Sequence, residues 1–297
     1  QRVRQVELDV FGDAEGGRFA TPALRDPDAG PVPGMEAPGI KVLHEQDVDY
    51  HSTCPALVDC LSAIEAWSDA NPDHVPVAVF IQFKDGPLIF DVADQAGVEL
   101  WTAEAMATLD DEIRSVFDPD DLLVPDDVRG DRATVADAVE ADGWPTLGDT
   151  RGKVLFAMIN GAPYRDRYLE LHPDLAEGIL FTTGEPGTDG GDVVVASIDD
   201  PVTDGERIAE LVGAGYLVRT RSDTPGVEAP AGDTARLEAA LASGAHWIST
   251  DHPGPAGGTG QHDSGYVAEL PGFLPARCNP IAAPEGCEDS GVEPRGR

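Results

Sequence analysis

Short apolar runs alternate with helical stretches along most of the 297-residue chain, which is typical of an α/β fold with a parallel sheet. The predicted strands are 5–10, 42–45, 77–83, 154–159, 179–182, 193–198, 216–220 and 246–250. The predicted helices are 55–71, 103–117, 134–142, 204–214 and 233–243, with Asp204 and Asp233 at N-cap positions. We find no internal repeat and no dividing linker, so we predict a single domain over residues 1–297.

Two segments lack periodicity. Residues 11–39 are rich in Gly, Pro and Asp, and a loop of that length inside a compact domain is usually functional. Because it follows the first predicted strand, it would lie on the C-terminal rim, where barrel enzymes keep their active sites. We expect the other segment, the loop-rich tail 254–297, to wrap around the same domain.

The first predicted strand carries two acidic residues on one face. Side chains alternate along a strand, so Glu7 and Asp9 point the same way while Leu8 points the other. Adjacent carboxylates repel each other unless a proton or a cation lies between them, and hard oxygen donors suit Ca²⁺ better than zinc. A solvated strand face is the alternative interpretation.

Several further motifs accompany this strand in a fixed order. They are Glu7–Val10, Glu15–Phe19, Lys41–His44, Asp49–Pro55, Phe83–Asp85, Leu217–Arg221, Ile248–Asp251, Leu270–Gly272 and Pro275–Pro280. In this combination the chain resembles the secreted, calcium-dependent phosphoinositide-specific phospholipase C family of bacteria. The resemblance implies a TIM-type (β/α) barrel of the PLC-like phosphodiesterase superfamily that uses Ca²⁺.

The resemblance also implies roles for individual residues. Glu7, Asp9 and Gln82 would bind the metal, with Glu7 also the general base, and His44 would stabilise charge on the phosphoryl oxygens. The expected substrate-binding residues are Lys84, Asp85, Arg219, Arg221 and Asp251. Because Gln82 stands where the superfamily has glutamate, either calcium binding is weaker or Asp85 or water replaces that ligand.

One family feature is missing from the sequence. The family opens with a strand that ends in a Thr-His-Asn-Ser-like motif, and nothing similar precedes Gln1. We therefore expect a barrel that lacks its first strand and a chain whose activity is greatly impaired. Counting that strand gives nine, so we expect one strand flanking the short Thr183–Asp192 connection to be an extra hairpin arm.

Charge and hydropathy exclude some partners. With 20 basic and 55 acidic residues the formal net charge is −35, which excludes nucleic-acid binding. This bias also resembles adaptation to high salt, although high genomic GC content gives the same bias. No run approaches the roughly 18 apolar residues of a membrane helix, so we expect no integral membrane segment. We also expect a monomer that meets phosphoinositide lipid only transiently at a membrane surface.

The four cysteines are expected to form disulfides. Three connectivities are possible, and we favour Cys54 with Cys60 and Cys278 with Cys287 because each pair closes a short loop. Paired cysteines indicate an oxidising compartment, hence a secreted protein, extracellular or periplasmic. Four free thiols are the alternative.

The resemblance implies a phospholipase C that cleaves phosphatidylinositol to diacylglycerol and inositol cyclic phosphate by attack of the inositol 2-hydroxyl. One alternative is a glycerophosphodiester phosphodiesterase, which shares the barrel, metal and histidine. A non-catalytic lipid- or carbohydrate-binding relative is the other alternative, favoured by Gln82 and by the missing first histidine.

Overall fold

One curved sheet organises the computed structural model, which describes residues 2–88, 92–187, 190–254, 260 and 262–293. Within these residues its eight strands run in the order β2-β1-β3-β4-β5-β6-β7-β8. The strands are β1 (Gln5–Phe11), β2 (Lys41–Val42), β3 (Val77–Phe83), β4 (Val154–Met158), β5 (Leu180–Thr183), β6 (Val193–Ser197), β7 (Leu217–Arg221) and β8 (Trp247–Ser249).

The described residues also form ten helices. They are α1 (Leu57–Asp69), α2 (Ala103–Val116), α3 (Pro125–Arg129), α4 (Val135–Asp142), α5 (Leu147–Thr150), α6 (Tyr164–Leu171), α7 (Gly205–Gly213), α8 (Glu228–Ala231), α9 (Ala235–Ser243) and α10 (Asp289–Val292). Single 3₁₀ turns occupy Pro27–Ala29, Pro119–Asp121, Pro173–Leu175 and Pro271–Phe273. The five predicted helices are present, whereas α6 and the four- and five-residue helices were not predicted. The short helices give too few periodic positions, and α6 buries one residue, Tyr168, of its eight and so has no apolar stripe.

β1 and β3 to β8 all run parallel to one another. β2 is the antiparallel arm, with Val10 opposite Val42. The expectation that a strand next to the Thr183–Asp192 connection is a hairpin arm is therefore wrong. Nine residues, 184–192, link β5 to β6. At about 3.3 Å per residue they are long enough to return along a short strand and begin a parallel neighbour without a helix. Residues 188 and 189 of that link lie outside the described part.

The sheet curls until its β1 and β8 edges face each other across a gap. No backbone pairing joins these two strands in the described residues, but side chains bridge them: the Ser249 hydroxyl donates to Gln5 Oε1 at 2.9 Å. A cavity of about 1320 Å³ lies along the gap and extends to the C-terminal rim. The predicted barrel lacking one strand is confirmed.

The central strands consist of continuous apolar runs because both of their faces are buried. In β3 every residue is buried except Gln82, as expected where helices cover one face and the barrel interior the other. The main core also includes Leu61 of α1 and Met106 and Leu109 of α2. At the start of α2, the Thr102 hydroxyl accepts a hydrogen bond from the Ala105 amide and caps the helix.

Residues 11–43 form a lobe with its own small core on the rim. Phe11 and Phe19 meet edge to face at 5.2 Å, and Met35 and Tyr50 pack around them. Lys41 is fully buried beneath this lobe and lies 3.6 Å from Asp13 Oδ2. The long loop is therefore a packed structure built over the end of β1.

The C-terminal tail contacts the opposite end of the sheet. Asn279 donates to the carbonyl of Gly244, which follows α9, while Glu293 pairs with Arg4 before β1. These contacts support the prediction that 254–297 belongs to the same domain, which stays a prediction. Residues 255–259, 261 and 294–297 of that tail lie outside the described residues.

The structure forms two disulfides, Cys54–Cys60 and Cys278–Cys287, which are the pairs favoured from the sequence. Both pairs are local, since they are six and nine residues apart in sequence. In the described part of the chain, no helix is both long and apolar enough to span a bilayer.

Candidate active site

Three predicted metal ligands lie side by side on two neighbouring strands. Glu7 and Asp9 share one face of β1, and parallel pairing places Gln82 of β3 directly beside Asp9. Residues paired in this way point to the same face, about 4.8 Å apart across the sheet. Two carboxylates and one amide oxygen thus meet at the wall of the cavity.

Each carboxylate of this cluster faces a cation of the chain. Arg219 of β7 crosses the barrel, so that Nη2 lies 3.0 Å from Glu7 Oε2 and Nη1 lies 2.5 Å from Asp199 Oδ1. Only 4% of the Arg219 side chain is exposed. Lys84 Nζ, just beyond β3, lies 3.5 Å from Asp9 Oδ2 and 3.6 Å from Glu45 Oε1.

The charged form of Asp9 is disfavoured in the folded protein, although Lys84 lies beside it. Burial raises the pKa of Asp9 to about 6; Lys84 opposes this rise, and the Glu7 carboxylate adds to it. One oxygen, Oδ1, is buried without a hydrogen-bond partner. A buried, unpartnered carboxylate oxygen normally needs an explanation such as an ion.

The donor set fits a calcium ion with few protein ligands. Ca²⁺ takes six to eight oxygens from carboxylates, amides, carbonyls and water, and Glu7, Asp9 and Gln82 supply such oxygens. Within the described residues no group of three or more His, Cys, Asp or Glu side chains could hold a metal ion. The neutral Gln82 accounts for the missing third carboxylate.

His44 reaches the cluster by a different route from the predicted one. We expected it to end a strand on the rim, but β2 ends at Val42 and runs antiparallel to β1. The chain therefore returns alongside β1, where the Leu43 amide donates to the Asp9 carbonyl at 3.2 Å. His44 is close enough to Asp9 to lower the pKa of that carboxyl, and it lines the same cavity.

The remaining predicted substrate-binding residues separate into two groups. Arg221 and Asp251 lie at the cavity and face each other at 3.3 Å. Asp85 does not line the cavity, and its carboxylate accepts hydrogen bonds from the Tyr164 hydroxyl and the Trp101 amide. These contacts give Asp85 a structural role, so its part in substrate binding stays a prediction.

Some residues of the site were not predicted. Asp199 and Ser249 both bind Arg219, the latter at 2.9 Å from Nε, and Asp49 binds His44. Asp199 follows β6 at its C-terminal end, a position that the rim rule for barrels would have selected. For Asp49 the sequence contains no periodic signal, since a loop places it.

Comparisons with known proteins agree on the fold. A family model described as phosphoinositide phospholipase C, Ca²⁺-dependent, matches residues 1–280. A structure of a Ca²⁺-dependent phosphatidylinositol-specific phospholipase C from Streptomyces antibioticus is 21% identical, with a TM-score of 0.56, over 84% of this chain and 85% of that one. A calcium-dependent phosphoinositol-specific phospholipase C from Pseudomonas sp. is 16% identical, with a TM-score of 0.57, over 92% and 84%. Among curated proteins, none matches.

Proposed function

The chain belongs to the Ca²⁺-dependent phosphoinositide phospholipase C family, and on that basis we propose that it cleaves phosphatidylinositol to diacylglycerol and inositol cyclic phosphate. The main support for this proposal is that Glu7, Asp9, Gln82 and His44 lie together at one cavity. Such a reaction is an intramolecular attack of the inositol 2-hydroxyl on phosphorus, so it depends mainly on orientation and charge stabilisation.

Calcium is the cofactor of this family, and Glu7, Asp9 and Gln82 would hold it. The unpartnered Oδ1 of Asp9 and its raised pKa support this ligand set. When bound there, the ion would lower the pKa of the 2-hydroxyl and neutralise phosphate charge.

The chain's own residues position and move the proton. Arg219 holds Glu7 by Oε2 at 3.0 Å, which orients the carboxylate that would accept the proton of the 2-hydroxyl. His44 would donate a hydrogen bond to a phosphoryl oxygen, and Lys84 would contribute a point charge nearby. The 2-oxygen would form its bond to phosphorus as the bond from phosphorus to the diacylglycerol oxygen breaks, and that oxygen would take up a proton from water while Glu7 releases its proton to solvent.

The setting of the enzyme is also a proposal. Two disulfides fit an oxidising compartment, so we propose a secreted protein, extracellular or periplasmic. It would act as a monomer that touches a phosphoinositide-containing membrane transiently, since a net charge of −35 opposes lasting adsorption to anionic lipid.

Product analysis tests this function. Phosphatidylinositol vesicles are incubated with the protein in Ca²⁺ or in EGTA, and phosphorus NMR identifies the products. We expect inositol cyclic phosphate only with Ca²⁺, and a loss of roughly 100-fold or more in Glu7→Gln. Asp111→Asn, an exposed carboxylate of α2, is the matched control. Glycerol phosphate as the product would favour a glycerophosphodiester phosphodiesterase, and turnover unaffected by EGTA would refute the metal assignment.

A further inference from the structure

A carboxylate outside the predicted site holds the candidate catalytic histidine. Nδ1 of His44 lies 2.9 Å from Oδ2 of Asp49, and both residues line the cavity that contains Glu7 and Asp9. We propose that Asp49 is a positioning residue that fixes the tautomer and direction of the His44 ring. The proposal rests on the proposed function, in which His44 acts on the substrate phosphate.

The chemistry of the pair determines the tautomer. A carboxylate can only accept hydrogen bonds, so Nδ1 carries a proton and donates it to Asp49. Nε2, on the side opposite the carboxylate, is then the ring nitrogen that can take up a proton and, once protonated, donate a hydrogen bond to a phosphoryl oxygen of the substrate. Without Asp49 the ring would rotate about two torsions and exchange tautomers freely, because 63% of the His44 side chain is exposed.

The loop between the two residues places Asp49 without using its side chain. The backbones of Glu45 and Asp49 exchange two hydrogen bonds, of 3.1 and 3.0 Å. Asp47 at the turn has a positive φ of 65°, a conformation that Asp tolerates better than most residues. The backbone alone therefore sets the distance between His44 and Asp49.

This loop is fastened to two others on the rim. The buried Asp47 carboxylate accepts the Ala23 amide at 2.7 Å through Oδ1 and the Ala96 amide at 2.6 Å through Oδ2. The anchor is independent of Asp49, whose carboxylate is 62% exposed and, in the described structure, hydrogen-bonds to His44. Removal of the Asp49 carboxylate should release the His44 ring and leave the loop in place.

An exposed ion pair adds little to stability, typically less than 1 kcal/mol. Asp49 therefore contributes little to stability. If it instead positions the His44 ring, its loss should change catalysis and the tautomer without changing stability. Asp49→Ala should keep the melting temperature of the parent. It should lower kcat by roughly 10- to 100-fold, the range that follows loss of a group orienting a metal-ligating histidine, with KM nearly unchanged.

Nitrogen NMR of ¹⁵N-histidine-labelled protein tests the tautomer directly, independently of turnover. In the parent we expect the His44 signals of a ring protonated at Nδ1, and in Asp49→Ala a mixture weighted toward protonation at Nε2. Asp49→Glu should recover much of both the tautomer and kcat. Asp142→Ala, which removes an exposed carboxylate paired with Arg132 outside the site, is the control and should change neither.

The outcomes separate this proposal from the proposed function. If His44→Gln retains full activity, the role of His44 is wrong. If His44→Gln is inactive but Asp49→Ala keeps both the parent tautomer and kcat, Asp49 does not position the ring. A fall in melting temperature with Asp49→Ala, together with an unchanged tautomer, would reduce the pair to a structural contact.

Discussion

Replacement of Asp9 by asparagine should stabilise the calcium-free protein. Burial holds the pKa of Asp9 at about 6 instead of 3.8, so the folded state resists the charge on this carboxylate. Asparagine keeps the shape and one oxygen while removing the charge. The substitution therefore tests whether this residue is retained for a cation at the expense of stability.

The size of the effect follows from the pKa. Each pKa unit corresponds to about 1.4 kcal/mol, so above pH 6 the charge of Asp9 destabilises the folded state by about 3 kcal/mol. Between pH 3.8 and 6 the unfolded chain loses this proton while the folded chain keeps it, so stability falls as the pH rises. Below pH 3.8 both states are protonated and the contribution vanishes.

Thermal unfolding in EGTA measures the difference. At pH 7.5, Asp9→Asn should melt roughly 6 °C above the parent, since about 2 °C corresponds to 1 kcal/mol in a domain of this size. The gap should close as the pH is lowered toward 4. Calcium at 100 times its Kd should stabilise the parent by about 2.7 kcal/mol and the variant far less. The difference in melting temperature between the two proteins should therefore nearly vanish in calcium.

The control removes one negative charge elsewhere. Asp111→Asn reports how much any such loss relieves self-repulsion in so acidic a chain, and its shift is subtracted. Two results would refute the reasoning: Asp9→Asn melting below the parent in EGTA at pH 7.5, or calcium stabilising both proteins equally.

Four further outcomes follow from the structure. Gln82→Glu adds a third carboxylate and should tighten calcium binding about 10-fold by calorimetry; an unchanged Kd would remove this residue from the ligand set. Arg219→Lys keeps the charge but loses the forked contacts, so it should lower the free energy of unfolding by about 2–4 kcal/mol in urea and reduce kcat, whereas full activity would separate Arg219 from Glu7. Asp47→Ala should lower stability by about 3 kcal/mol and speed amide exchange at Ala23, and unchanged exchange would contradict its role as an anchor. The melting temperature should rise with NaCl between 0.1 and 1 M as the screening length falls from about 10 to 3 Å, and a flat response would exclude salt adaptation.

The sequence predicts the parallel strands well because their apolar runs are buried on both faces. All seven parallel strands lie within one or two residues of their predicted bounds. The prediction is weaker for β2, where 42–45 became Lys41–Val42. Two residues are too few for a sequence pattern to indicate that β2 is antiparallel. The prediction therefore places the extra, antiparallel strand beside the Thr183–Asp192 connection instead.

Residues on strands were easier to place in the site than residues in loops. Alternation places Glu7 and Asp9 on one face, and sheet register brings the predicted ligand Gln82 beside Asp9. Asp49 and Asp199 depend on loops whose paths follow from tertiary contacts, such as the Asp47 anchor. Local sequence patterns do not encode such contacts.

The charges of the site explain how so acidic a protein could receive a phosphate. Four carboxylates (Glu7, Asp9, Glu45 and Asp199) surround two cations, Lys84 and Arg219. Four negative and two positive charges leave a formal charge of −2, which would repel an anionic lipid headgroup. One Ca²⁺ held by Glu7, Asp9 and Gln82 would offset the charge of these six groups, so metal binding and substrate binding would be linked through the electrostatics of the cluster. The raised pKa of Asp9 has a different origin, since burial is its largest cause and the lowering by Lys84 exceeds the raising by Glu7.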